Sequence, residues 1–136
     1  MTTATINTEV MRNTLRESEA GNLTFPQVVR ALSGVGVESY FADLARGVDT
    51  FYLAGGETHT EKMAHRATEI SESFSESGIV AAIRAAQADE IRYPEFLNRA
   101  MAAGVTAYWV FINGRKAIYF GREGGLHIEE FPGSKS

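Results

Sequence analysis

Residues 107–132 read AYWVFINGRKAIYFGREGGLHIEEFP, and no other stretch restricts the fold of this chain so tightly. Apolar residues flank Asn113-Gly114, a pair that favours a two-residue type I′ hairpin turn because both positions take positive φ. With that turn, Phe111 faces Lys116, Trp109 faces Ile118 and Ala107 faces Phe120. Glu123-Gly124-Gly125 supplies a second turn. The expected product is three antiparallel strands at 105–112, 115–121 and 126–131, followed by a frayed tail from Gly133 to Ser136.

The segments before it alternate helical and strand patterns. A first helix is expected from Asn7 or Thr8, with Val10, Met11 and Leu15 on one face and a stop at Gly21. A second starts at Thr24, carries Pro26 in its first turn, buries Val28, Val29 and Leu32, and ends at Gly34 or Gly36. Residues 37–44 and 49–54 read as a hairpin turning at Arg46-Gly47. Met63, Ala67, Ile70 and Phe74 recur at helical spacing, so the polar stretch 57–76 is expected to be an amphipathic helix. After Ser77-Gly78, Ile79, Ile83 and Ala86 mark the inner side of another. Tyr93-Pro94 opens the last, with Phe96, Leu97, Ala100 and Met101, which stops at Gly104.

A shift of 68 residues (94 minus 26) superimposes Pro26 on Pro94, Gly36 on Gly104, Val37 on Val105 and Tyr40 on Tyr108. Arg16 with Arg84 and Ala20 with Ala88 extend the match. A one-residue gap then brings Gly47 onto Gly114 and Tyr52 onto Tyr119. Each half would be a pair of helices followed by a hairpin, a pseudo-repeat. The alternative is that any two such units share proline starts and glycine stops. The fold class expected is α+β in one domain spanning 1–136. Two helix–β-hairpin units form an antiparallel sheet with helices packed on one face.

Composition narrows what such a domain can do. At 136 residues and 44% hydrophobic, the chain can bury a core without a metal or disulfide staple. It has no cysteine, which removes disulfides, thiolate metal sites and thiol nucleophiles together. The net charge of −4, with five Glu between 57 and 76, argues against nucleic acid as a partner. The first residues lack a basic and apolar secretory pattern, and no apolar run approaches a membrane span, so a cytoplasmic location without membrane partners is expected. The Asn22-Leu23-Thr24 sequon is then without consequence.

Chemical motifs are sparse. Gly34-Val35-Gly36 lacks the third glycine of a dinucleotide fingerprint and follows a helix, so it reads as a helix stop. Glu61, His65 and Glu69 would share a helical face and could bind a metal, but a solvated face is the simpler reading; no metal and no cofactor are expected. His59 is unremarkable in a glycine-rich connection. A four-residue turn at 122–125 would put Phe120 opposite His127 and Ile118 opposite Glu129. One sheet face then carries Trp109, Phe111, Ile118, Phe120, His127 and Glu129, and the other Tyr108, Val110, Ala117, Tyr119, Ile128 and Glu130. The candidate binding residues are Tyr108, Trp109, Phe111, Arg122, His127 and Glu129.

The segments VAAIRAAQADEIRYPEFLNRAMAAGV and YFGREGGLHIEEFP, with GVESYFADLARGVDTFYLAGG earlier, resemble the YbcV-like family. That is a bacterial and prophage-borne domain of unknown function, sometimes labelled "phage envelope protein". The resemblance rests on Ala82-Ile83-Arg84 with Gln87, Tyr93-Pro94 with Phe96, and Gly121-Arg122 followed by His127 and Glu129. It implies no activity and no catalytic residues. Some relatives carry Cys where Val105 stands here, so a thiol-dependent role cannot be general to the pattern.

Two functional readings follow. Two apolar sheet faces and the lack of a catalytic signature favour a small binding or oligomerisation module, with a second copy, a protein or a small molecule as partner. The rival is a cofactor-free enzyme using His127 as acid or base and Glu129 to orient it. A concave pocket holding His127 would favour the second.

Overall fold

Capping sets where the helices begin. In the computed structural model, which describes residues 7–64 and 69–132, Asn7 precedes α1 (Thr8–Glu19) and accepts the Val10 N–H at 3.1 Å. Thr24 and Gln27 form a reciprocal capping box on α2 (Phe25–Ser33), and Pro26 sits in its first turn, where a missing N–H does no harm. Ser75 accepts the Gly78 N–H at 3.0 Å ahead of α3 (Glu76–Gln87). The fourth helix, α4 (Tyr93–Ala102), has Pro94 in its first turn and no side-chain cap.

Each helix pair leads into three strands. The first half supplies β1 (Val37–Asp43), β2 (Val48–Leu53) and β3 (Thr58–Lys62). The second supplies β4 (Val105–Phe111), β5 (Lys116–Gly121) and β6 (Leu126–Glu130). All six join one sheet in the order β3-β2-β1-β4-β5-β6, every neighbouring pair antiparallel. Tyr40, Phe51, Tyr108, Val110 and Tyr119 project from one face into a common core with Met11, Leu32, Ile79 and Leu97 of the helices. Fully burying such a side chain contributes about 2 kcal/mol. The α+β architecture with helices on one side is therefore present. No helix among the described residues is long and apolar enough to cross a membrane.

Residues 57–76 depart from expectation. Thr58–Lys62 is the edge strand β3, with His59 opposite Phe51 and Glu61 opposite Asp49. No helix precedes Glu76 in the described part of the segment, and Ala67 lies outside the described residues. Four apolar residues spread over twelve positions make too thin a stripe to drive a helix. The free edge of β2 instead offers backbone partners, and Thr58 and Thr60 suit a pleated strand. Ile70 and Phe74 still reach the core, carried by an irregular chain that bonds Ser71 N–H to Met101 O at 3.0 Å and Ser75 N–H to Ala103 O at 2.7 Å.

Both turns of the second sheet half also differ. Phe111 faces Lys116 as expected, but across a four-residue loop whose positive φ falls on Arg115 (58°), not on Asn113 or Gly114. The next loop has three residues instead of four. Gly121 N–H meets Gly125 O at 2.7 Å, and Gly124 takes a φ of 94°, a conformation open to glycine without steric cost. Phe120 therefore lies opposite Leu126, and Tyr119 opposite His127. One residue of register reverses every side chain on the strand. His127 and Glu129 join the helix-covered face with Tyr108, Val110, Ala117 and Tyr119, while Ile128 and Glu130 join Trp109 and Phe111.

Corresponding elements of the two halves start 68 residues apart (105 minus 37 for their first strands), as do Thr8 and Glu76, Phe25 and Tyr93, and Thr58 and Leu126. The strand-to-strand loops Leu44–Gly47 and Ile112–Arg115 have equal length, so no gap is needed and Tyr52 corresponds to Phe120, not to Tyr119. Tyr40 and Tyr108 share the helix-covered face. At the middle of the sheet Phe41 lies opposite Trp109, its own counterpart at this offset.

Gly104, between α4 and β4, has a φ of 86°, and a β-carbon there would collide with the Ser73 carbonyl and Phe74 Cα. Gly36 has a φ of 89° with open space around it. Gly36→Ala is expected to cost about 1 kcal/mol and Gly104→Ala at least about twice that, by urea denaturation. Equal losses would show that the collision is relieved without cost.

Candidate functional site

The helical layer does not close completely on the sheet. A cavity of about 490 Å³ lies between them, within the range of small-molecule sites. Leu15 of α1, Leu32 of α2, Ile83 of α3 and Phe96 of α4 form part of its roof, and Tyr40, Phe51, Tyr108 and Tyr119 its floor. Both halves of the chain contribute, because β1 and β4 are neighbours.

Polar atoms are few and concentrated. Tyr93 and Tyr108 hydroxyls lie 2.8 Å apart. Whichever donates, the other keeps its own O–H without an acceptor among the described residues. Burial pushes both phenols well above their usual range, and the nearby Asp49 carboxyl adds to the shift. They stay neutral hydroxyls.

Asp49 is the unusual group. It lies on β2, two residues from Phe51, and the pleat aims both at the core. It is 3% exposed, lines the cavity, and its Oδ1 has no hydrogen-bond partner among the described residues. The nearest basic group on α1 is committed elsewhere: Arg16 bonds Glu19 at 2.9 Å and Lys62 O at 3.0 Å. Desolvation, then the Glu19 charge, pushes the Asp49 carboxyl from 3.8 up to about 7, with Arg16 pulling the other way.

His127 and Glu129 sit at the rim, on edge strand β6. The imidazole is held from both sides, Nδ1 by Glu76 Oε2 at 2.9 Å and Nε2 by Glu129 Oε1 at 3.0 Å. Burial alone would lower its pKa, but hydrogen bonds and charge from Glu129 and Glu76 carry it above 6.5. Burial likewise works against the Glu129 carboxylate. Arg84 at 2.7 Å, with His127, more than offsets it and lowers that pKa. An imidazolium that donates both N–H groups to carboxylates ties β6 to α3 and keeps no nitrogen free for a substrate proton. The other edge strand carries a similar set, His59 Nε2 on Glu61 Oε2 at 2.6 Å with Arg12 Nε at 3.2 Å from the same oxygen.

The six candidates read from sequence are thus not one site. Tyr108 and Glu129 line the cavity, with His127 beside Glu129. Trp109 and Phe111 stack at 5.3 Å on the opposite face. Arg122 lies in the β5–β6 loop, donating to Ile70 O at 3.4 Å. Sequence reasoning passed over Asp49, although positions 49, 51 and 53 alternate with the pleat and mark an inward-facing acid. It set His59 aside and placed Glu61 on a helical face with His65 and Glu69, whereas the two pair on β3, 68 residues before His127 and Glu129 (127 minus 59). His65, the middle of the Glu61-His65-Glu69 group, lies outside the described residues.

Four helices over one face of a six-stranded antiparallel sheet, with an apolar cavity between the layers, define a two-layer α+β protein with an internal cavity. The chain belongs to the DUF1398 family, described as a protein of unknown function, whose sequence profile matches residues 13–130. No curated protein matches the sequence.

Because the folded carboxyl of Asp49 titrates above its unfolded value, its contribution is fully present below about pH 4 and lost as pH rises through about 7. At about 1.4 kcal/mol per unit this loss is of order 4 kcal/mol. Asp49→Asn should flatten the fall in stability across that window, as followed by thermal denaturation. An unchanged profile would show that Asp49 is not what titrates.

Proposed function

We propose that this protein is a small-molecule binding module whose ligand occupies the cavity between the helices and the sheet. The observation that carries this reading is the cavity itself. It is roomy, mostly apolar, and furnished with a few buried polar atoms whose hydrogen-bonding capacity the described residues leave unused. Buried polar groups cost free energy unless they are paired, so atoms of this kind on a cavity wall are suited to an incoming partner. The acid–base reading of His127 and Glu129 is less favoured, since the ring is saturated by two carboxylates. The remaining parts of the proposal are a single domain at work in the cytoplasm, built from two related halves. The YbcV-like resemblance fits it, and nothing in the site favours the virion role that the "phage envelope protein" label suggests.

N-phenyl-1-naphthylamine, an apolar fluorophore uncharged at neutral pH, should bind with enhanced emission and raise the melting temperature. Ala86 lines the cavity, and Ala86→Trp should fill it and abolish both effects while the fold is retained. Undiminished binding to that variant would place the probe elsewhere and remove the proposal.

A second reading, self-association, is favoured by the open sheet face. Phe41, Tyr52, Trp109 and Phe111 cluster there, with ring centroids 5.1 to 5.5 Å apart, and no helix covers them. Leu126 and Ile128 extend the patch, 50% and 51% exposed. Sedimentation should then report a dimer that Ile128→Lys converts to a monomer. A wild-type monomer at high concentration would remove this reading without touching the first.

A further inference from the structure

We infer that the cavity's ligand is an apolar, aromatic or alkyl amine whose protonated nitrogen is held by Asp49. This inference rests on the cavity being a ligand site. It adds what that reading leaves open, the charge of the ligand and the atom that recognises it.

Three observations carry it. First, Asp49 Oδ1 is an acceptor with no donor among the described residues, on a wall lined mostly by hydrocarbon and aromatic rings. A carboxylate in such a place is costly unless an opposite charge or a donor reaches it. Second, the described residues do not supply that donor. Arg12 is bonded to Glu61, and Arg16 to Glu19 and Lys62 O. Third, the fold does not need a carboxylate there. At the 68-residue offset the counterpart of Asp49 is Ala117 (117 minus 49), which lines the same cavity and packs in the same core. An acid stands in one half where a methyl group suffices in the other, so Asp49 answers to something other than architecture.

The surroundings select the kind of cation. Phe51 on the same strand, and Tyr40 and Tyr108 on the next two, line the cavity on the Asp49 side of the sheet, an aromatic surface that suits an ammonium group because ring faces attract cations. The remaining space takes an apolar body and offers little to a second charge. An anionic ligand would meet Asp49, with Glu129 and Glu130 at the rim, while Arg92, the basic residue on the lining, is engaged by Asp89 at 2.6 Å and by Gly21 O at 3.0 Å.

The test displaces bound N-phenyl-1-naphthylamine with 4-phenylbutylamine, 4-phenylbutanol and 4-phenylbutyrate at about pH 8, where the amine is protonated and Asp49 ionised. The amine is expected to bind at least about tenfold more tightly than the alcohol, and the carboxylate most weakly. Asp49→Asn should erase the amine's advantage over the alcohol when both are measured on the variant. Retained fluorophore binding reports that the variant is folded with its cavity intact. The wild-type comparison of amine with alcohol stands even if the variant does not fold. Equal binding of amine and alcohol, or tighter binding of the carboxylate, overturns this inference and leaves the cavity reading standing. Failure of the fluorophore itself to bind overturns both.

Discussion

The pairing of β1 with β4 is the interaction on which everything else depends. Each half by itself has three strands and two helices, and half a cavity wall. Hydrogen bonds between Ser39–Asp43 and Ala107–Phe111 join them into one sheet, with Phe41 against Trp109 at the centre. Because the pairing is antiparallel and centred on corresponding residues, Tyr40 and Tyr108 both turn towards the helices and the aromatic stack forms on the opposite side. The cavity is the space left where two helix pairs meet over that seam. It owes its shape to the seam and its chemistry to one residue beside it.

What the sequence discloses follows from how local each determinant is. Pro26, Pro94, Gly36 and Gly104 act within a few residues, so helix starts and the helix-to-strand turns are legible. The register of β4 on β5 is legible too, although the turn that produces it is not type I′, because either conformation brings Phe111 opposite Lys116. The β5–β6 loop is one residue shorter than its Glu-Gly-Gly composition suggests, and this moves His127 and Glu129 to the other face. Thr58–Lys62 is a strand only because β2 offers an edge, a fact that no window around those residues contains. The candidate site suffers most. A cavity belongs to the meeting of four helices and four central strands, and only Asp49's place in the pleat hints at it.

The correspondence of the halves sharpens the contrast between structure and chemistry. Strand lengths, loop lengths and the positions of left-handed residues recur, down to Gly47 and Arg115 at φ of 71° and 58° in equivalent turns. The edge-strand His–Glu pairs recur as well, each tied to an arginine of the helix above. Asp49 does not recur. Features needed twice to build the sheet stand at matching places in both halves, whereas the buried acid stands in one.

The two outer strands are short, five residues each, and turn a histidine and a glutamate inwards where a further strand would need flat, neutral surface beside it. Inward-pointing charge of this kind discourages the addition of foreign strands along an edge. Growth of the sheet sideways, the open-ended route to fibres, is thereby blocked at both ends. Contact through the broad aromatic face is different in kind, since two such faces hide each other and leave nothing further to propagate. The fold closes its extensible directions and leaves open one that terminates.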